Sequence, residues 1–405
     1  MESRLDFAAL KQKLTEAFGQ NSDVYELDEY TFDSDYTIPS ASSSVNEGDL
    51  YYHELVYDKF EGNRHFTYPV IRPKSATTFS RGIVLFHGLN EKSWDKYLQW
   101  AAELVKRLQC PVILFPIAYH INRAPQKWSD PRKMKGAVQT RLGLRPKNES
   151  TFANAALSIR LSASPEQFVY SGVQTFYDMR KLAHQIRDGR HPMFKELARI
   201  DFFAYSIGAF LAEILLISNP DKLFSNTKLF VFAGGPTFDS MIGTSRYIMD
   251  LAAFKSLLTL KSKRKIKAMH RHLLKLNLPV FEEMWMGFYA MMYLRRGRKY
   301  RNAWLDYNAG NIWLLALKND RVMPAGRIVK TFKRKKNEPS PRIDIIDFPY
   351  PYSHENPFPA NDLKNKELVM RSMEVVMNKA AEFYTTSMIE QAQFLEKGSG
   401  VEVPC

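Results

Sequence analysis

The stretch RIDFFAYSIGAFLAEILLI, residues 199–217, decides the fold. Arg199 to Ala204 reads as a strand and Ile207 to Ile217 as a helix. Between them stands Ala204-Tyr205-Ser206-Ile207-Gly208, a serine with a small residue two positions away on each side. A strand that reverses sharply into a helix holds its turning residue in a strained conformation, and bulky flanking Cβ groups would clash there. The turn lifts the serine Oγ clear of the sheet. The next helix aims its first N–H groups at the same spot. The first small residue is Ala204, where glycine is commoner. Ser206 also suits an ordinary helix N-cap, so the stretches around it must decide.

Upstream, GIVLFHG (82–88) reads as a buried strand ending in His87-Gly88, because a continuous apolar, β-branched run suits a parallel strand covered on both faces. Ser93 to Leu108 has helical apolar spacing, and PVILFPI (111–117) is the next strand. Downstream come LFVFAGG (229–235), IWLLAL (312–317) and RIDIIDF (342–348). Apolar strands alternating with helices predict a doubly wound, mostly parallel α/β sheet.

With these pieces in order, the chain resembles the α/β-hydrolase superfamily over roughly residues 50 to 390. The residues that carry the resemblance are His87-Gly88-Leu89, the Ser206 turn, Lys318-Asn319-Asp320-Arg321-Val322-Met323-Pro324, and His354. The order Ser, Asp, His is the superfamily's order. No motif selects one family within it. The resemblance implies Ser206 as nucleophile, His354 as general base and acid, and Asp320 as orienting acid. It also implies an oxyanion hole from the backbone N–H groups of Leu89 and Ile207, with His87 and Gly88 shaping the oxyanion loop. Each residue has a plainer reading: Asp320 as a cap for the helix starting near Pro324, His354 as a satisfied loop histidine, His87 as a base. Asp239, after the preceding strand, is the rival for the acid.

A serine hydroxyl is a poor nucleophile at neutral pH and needs an adjacent base, for which histidine is suited. The expected reaction is acyl transfer to water through an acyl-enzyme, with carboxylic esters as substrates. An acyltransferase, a thioesterase, or a catalytically silent binding protein of the same fold are the alternatives. No phosphate-cradling glycine loop or Cys/His metal spacing occurs in the sequence, so no cofactor and no metal are expected.

The 405 residues exceed what the core sheet domain needs, and 45% hydrophobic content supports a sizeable core. Residues 51–235 and 310–397 are assigned to that core. The first addition is residues 1–50, an N-terminal arm: a helix from Leu5 to Phe18, an acidic run (Asp23, Glu26, Asp28, Glu29, Asp33, Asp35) without Lys or Arg, and a Ser-rich stretch. The second is a polar, Pro-containing excursion at 118–166. The third is a helical lid insertion at 236–309, with helices expected over 245–260, 261–276 and 281–295. It is rich in Met and aromatics, which suits either lid–core packing or the apolar wall of an acyl pocket.

The formal net charge is +14. Lys261 to Lys275 holds seven Lys and Arg and no acid, and Arg295 to Arg301 adds five more. Such runs are solvated faces, or they recruit anionic or lipid-like substrates or an anionic membrane surface in peripheral contact. The acidic arm is a candidate to dock on this basic lid. No nucleic-acid motif accompanies the charge, and no nucleic acid is expected. There are two cysteines, Cys110 and Cys405, and no disulfide framework. The N-terminus lacks a basic-then-apolar signal pattern, and no apolar run reaches the ~18 residues of a spanning helix. A soluble cytoplasmic protein is the expectation.

Overall fold

The computed structural model of the chain describes residues 5–18, 24–36, 60–144, 149–359, 362 and 364–386. Eight strands form one sheet: β1 (Tyr25–Asp33), β2 (His65–Pro73), β3 (Phe79–Phe86), β4 (Val112–Leu114), β5 (Phe194–Tyr205), β6 (Leu229–Phe232), β7 (Ile312–Leu317) and β8 (Arg342–Ile346). Their order is β1-β2-β4-β3-β5-β6-β7-β8. β1 and β2 pair antiparallel, and β2 joins β4 antiparallel. The pairs from β4 through β3, β5, β6 and β7 to β8 are all parallel. This is the doubly wound, mostly parallel sheet of the α/β-hydrolase fold.

The C-terminal halves of β3 and β5 and all of β6 and β7 are buried, because both faces are covered there. In β5, Phe202 and Ala204 join one core and Phe203 and Tyr205 the other, as the two-residue period of a strand requires. The helices Phe7–Phe18, Asp95–Leu108 and Lys366–Thr385 cover one face. On the other face lie the helices Glu166–Arg187 and Ile207–Ser218. The C-terminal helix spans Lys366–Thr385, and residues 387–397 of the expected core lie outside the described residues.

The reading of 1–50 as an arm is corrected. Tyr25–Asp33 is the edge strand β1, and its acids meet bases brought across by the fold. Arg72, opposite Glu26 in the register, binds both Glu26 and Asp28 at 2.6 Å. Asp33 pairs with His65 and Asp35 with Lys181. Glu26, Asp28, Asp33 and Asp35 are therefore committed at the sheet edge, and among the described residues none of them pairs with the basic insertion. The Ser-rich stretch lies outside the described residues.

Both internal additions carry helices, expected in the insertion and not foreseen in the excursion. The excursion 118–166 carries helices Pro131–Leu144 and Ala155–Ala163. They close on a small core of their own around Trp128, with the Arg160 guanidinium 4.0 Å above that ring. In the insertion 236–309, helices span Leu251–Leu258, Lys263–Leu274, Phe281–Met292 and, unforeseen, Arg298–Asn308. Phe281–Met292 packs directly on Ile207–Ser218. A Cβ on Gly287 would stand 2.3 Å from Ser218 Oγ and 2.8 Å from Ile214 O, so glycine permits the close approach. This part of the insertion is thus built into the helical layer. On Lys263–Leu274 the residues Ile266, Met269 and Leu273 face inward, whereas Lys263, Arg264, Lys267 and Arg271 are exposed. Among the described residues no helix is long and apolar enough to cross a membrane.

A buried ion pair ties the layers together. Arg123, after β4, lies 2.8 Å from Asp178 on the Glu166–Arg187 helix, and both are buried. The same guanidinium donates to Asn63 O and Pro116 O. Removing one partner of such a pair leaves an uncompensated charge. Asp178→Leu should therefore lose about 3–5 kcal/mol of unfolding free energy in denaturant titration, and a loss below about 1 kcal/mol would contradict this account.

Three buried histidines are held neutral. Burial lowers His87 to about 3, His191 to about 4, and His120 well below its ordinary value. The unfolded chain takes up these protons near pH 6.5, so the stabilisation is complete above about 6.5 and is lost as pH falls towards the folded values. His87 and His191 together should cost of order 4 kcal/mol of stability between pH 7.5 and 5. Denaturant midpoints that stay level across that interval would refute it.

Candidate active site

Four strand ends converge at the carboxyl edge of the sheet, where open α/β sheets bind ligands. Ser206 comes directly after β5, with φ 56° and ψ −123°. That strained geometry is held because β5 is bonded to β3 and β6 on its two sides and Ser206 N–H donates to Phe232 O at 3.3 Å. Gly208 is required by contact: a Cβ there would lie 2.7 Å from Phe86 O and 2.8 Å from His87 O, both backbone atoms. The helix could not otherwise start so close to the end of β3.

The structure brings Ser206, His354 and Asp320 together. Ser206 Oγ is 2.7 Å from His354 Nε2, and His354 Nδ1 is 2.7 Å from Asp320 Oδ2. Asp320 Oδ1 accepts the N–H groups of Val322 and Met323, each at 2.8 Å, which fixes the carboxylate. A carboxylate only accepts, so the proton of this pair sits on Nδ1 and Nε2 is free to accept from the serine. Ser206, His354 and Asp320 are 2%, 4% and 5% exposed, so little water competes for these contacts. Asp239, the rival acid, is occupied elsewhere by Thr237, Ser240 and the Leu294 N–H.

The His354 loop is held from several sides. Tyr205 donates its hydroxyl to the His354 carbonyl and stacks on the imidazole, centroids 5.5 Å apart at 13°. Lys96 Nζ donates to Glu355 O at 3.1 Å, and Ser245 Oγ bonds the Glu355 carboxylate.

His87 cannot serve as the base. Its Nε2 accepts the Ile117 N–H at 2.9 Å, so the ring proton is on Nδ1, which donates to Gly88 O at 2.7 Å. Both nitrogens are spent on shaping the loop. Gly88 N–H donates to Tyr97 Oη at 2.9 Å, and Tyr97 donates to Glu91 at 2.8 Å. Among the described residues, the N–H groups of Leu89 and Ile207 have no acceptor, and both residues line one pocket beside Ser206. Two such groups are what a developing oxyanion needs.

Sequence reasoning missed three supports. Tyr205 and Tyr97 gave no signal, because a tyrosine in an apolar run reads as core. Asn90 did give one: its left-handed φ of 65° is tolerated best by Gly and Asn. Its amide donates to Ala153 O at 2.8 Å and Tyr247 O at 2.6 Å, joining the loop after β3 to both internal additions.

The pocket is a narrow cavity of about 60 Å³ that opens to solvent. Its walls come from the loop after β3, the Glu166–Arg187 and Ile207–Ser218 helices, and Met284 and Phe288 of the insertion. They are almost wholly apolar, so the Met and aromatic run contributes to a pocket wall as well as to packing. Among the described residues no His, Cys, Asp and Glu side chains gather as a metal site.

Among solved structures the chain is similar to the esterase LipW from Mycobacterium marinum, at 14% identity, 95% coverage of this chain and 93% of that one, with a TM-score of 0.44. A bacterial heroin esterase is similar at 10% identity, with 95% and 91% coverage and a TM-score of 0.43. The peroxisomal alpha-beta-hydrolase Lpx1 from Saccharomyces cerevisiae is similar at 11% identity, with 93% and 97% coverage and a TM-score of 0.38. These likenesses are distant, and the fold of this chain rests on its own strand order and turn geometry. No curated protein matches the sequence. A family model described as a family of unknown function matches residues 13–385, nearly the whole chain, and the protein therefore belongs to that family, DUF6051.

Proposed function

We propose that the protein is a serine hydrolase that cleaves carboxylic esters through an acyl-enzyme. The observation that carries this reading is the unbroken contact from Asp320 through His354 to Ser206, 2.7 Å at each step. In the proposed reaction, Ser206 Oγ attacks the ester carbonyl carbon while its proton passes to His354 Nε2. The carbonyl oxygen becomes an oxyanion held by the Leu89 and Ile207 N–H groups. Asp320 stabilises the imidazolium, which then protonates the leaving alkoxide. Water enters, gives a proton to His354 and releases the acid from Ser206. An acyltransferase or thioesterase would run the same steps with another acceptor or leaving group. A silent binding protein would run none.

Chemistry and fold are separated by a direct assay. A fluorophosphonate probe should label the wild type at Ser206 and leave Ser206→Ala unlabelled. The same substitution should lower turnover of p-nitrophenyl acetate by about 10³-fold or more, because triad members act as a unit. Asp320→Asn should fall steeply too, about 10⁴-fold where the wrong tautomer is trapped, whereas Asp239→Asn should leave turnover within about twofold. Equal labelling of wild type and Ser206→Ala would sink the assignment, and a crippled Asp239→Asn would move the acid.

A further inference from the structure

The Glu166–Arg187 helix presents Phe168, Gly172 and Phe176 to the pocket at successive four-residue steps. Residues four apart lie above one another on a helix face. The two phenylalanines are thus separated by about 12 Å of helix rise, and the position between them has no side chain. An ideal Cβ on Gly172 meets nothing within 4 Å. No neighbour therefore demands glycine for close packing. Its φ is not in the left-handed region either. Glycine in a helix interior is unfavourable relative to alanine, so neither packing nor backbone explains this residue. What it leaves is a bare strip of backbone along the pocket that also contains Leu89 and Ile207.

We infer that Gly172 sets the acyl-chain length that this site accepts: the gap between Phe168 and Phe176 is a slot for an unbranched apolar acyl chain whose carbonyl lies at Ser206. This rests on the esterase reading of the same site. The apolar lining excludes a charged acyl group, since an unpaired charge is strongly disfavoured there. Met284, across the pocket, is a flexible side chain suited to packing on an alkyl chain. A short acyl group would not reach the slot and would gain nothing from it.

The test compares p-nitrophenyl acetate with p-nitrophenyl octanoate on wild type, Gly172→Ala and Gly172→Leu. The wild type should show the higher kcat/KM on octanoate, by about tenfold or more, since each methylene in an apolar pocket counts strongly. Gly172→Leu should lose that preference by about tenfold or more, read as the octanoate-to-acetate ratio of kcat/KM, with circular dichroism and a thermal melt showing that the variant folds. Gly172→Ala, the milder change in a helix, should shift the ratio in the same direction. An octanoate-to-acetate ratio unchanged in Gly172→Leu overturns the slot. If the wild type hydrolyses neither ester, the esterase reading has failed, and the slot is judged separately by calorimetry with free octanoate. Binding to wild type but not to Gly172→Leu then supports it, and equal binding overturns it.

Discussion

Much of this molecule depends on one backbone conformation. Ser206 holds φ at 56°, a region that a residue with a Cβ occupies at a cost of order 1–3 kcal/mol. The cost is met by rigid surroundings. β5 cannot shift without breaking its bonds to β3 and β6, and the Ile207–Ser218 helix is wedged against the carbonyls of Phe86 and His87 through Gly208. Gly234 closes the other side, where a Cβ would stand 2.8 Å from Ser206 O. With the turn fixed, Oγ emerges at the sheet edge beside the N–H of Ile207. The neighbouring strand ends then set the position of the His354 imidazole and of the loop after β3.

Histidine illustrates how surroundings assign chemistry to one residue type. His87 and His354 are both buried and lie at the same end of the sheet. The nitrogens of His87 are bonded to backbone on both sides, to Gly88 O and the Ile117 N–H, so its proton has nowhere to go. Those of His354 are bonded to a hydroxyl and a carboxylate, which are groups that can exchange and stabilise a proton. One ring is a structural pin and the other is poised for proton transfer.

The internal additions share a purpose that their composition does not advertise. The excursion and the insertion pack on each other through Ala155–Ala163 and Leu251–Leu258, and Asn90 bonds both. The loop after β3 is therefore braced from outside the sheet. The basic stripe of Lys263–Leu274 faces solvent while its apolar residues complete the core, which is the ordinary division of an amphipathic helix.

The sheet class, the elbow and the three residues that meet there were all legible in the amino-acid sequence. Buried parallel strands are continuous apolar runs, and the turn from β5 needs Ala204 and Gly208 on either side of Ser206 whatever else the chain does. Those are local constraints, contained in a window of a few residues. Other features depend on partners far along the chain and emerged only on folding. The acids of β1 read as part of an N-terminal arm because Arg72 lies 46 residues from Glu26 and faces it only once the antiparallel register is set. The helices of 118–166 were hidden because their apolar residues serve a small local core around Trp128 that no periodic pattern announces. Asp239 remained a rival to Asp320 in the sequence because both come after a strand, and the fold carries the Asp320 carboxylate to His354 while Asp239 is held by Thr237, Ser240 and the Leu294 N–H. Tyr205 has no local signature either, because it acts on the His354 carbonyl, which folding alone brings within reach.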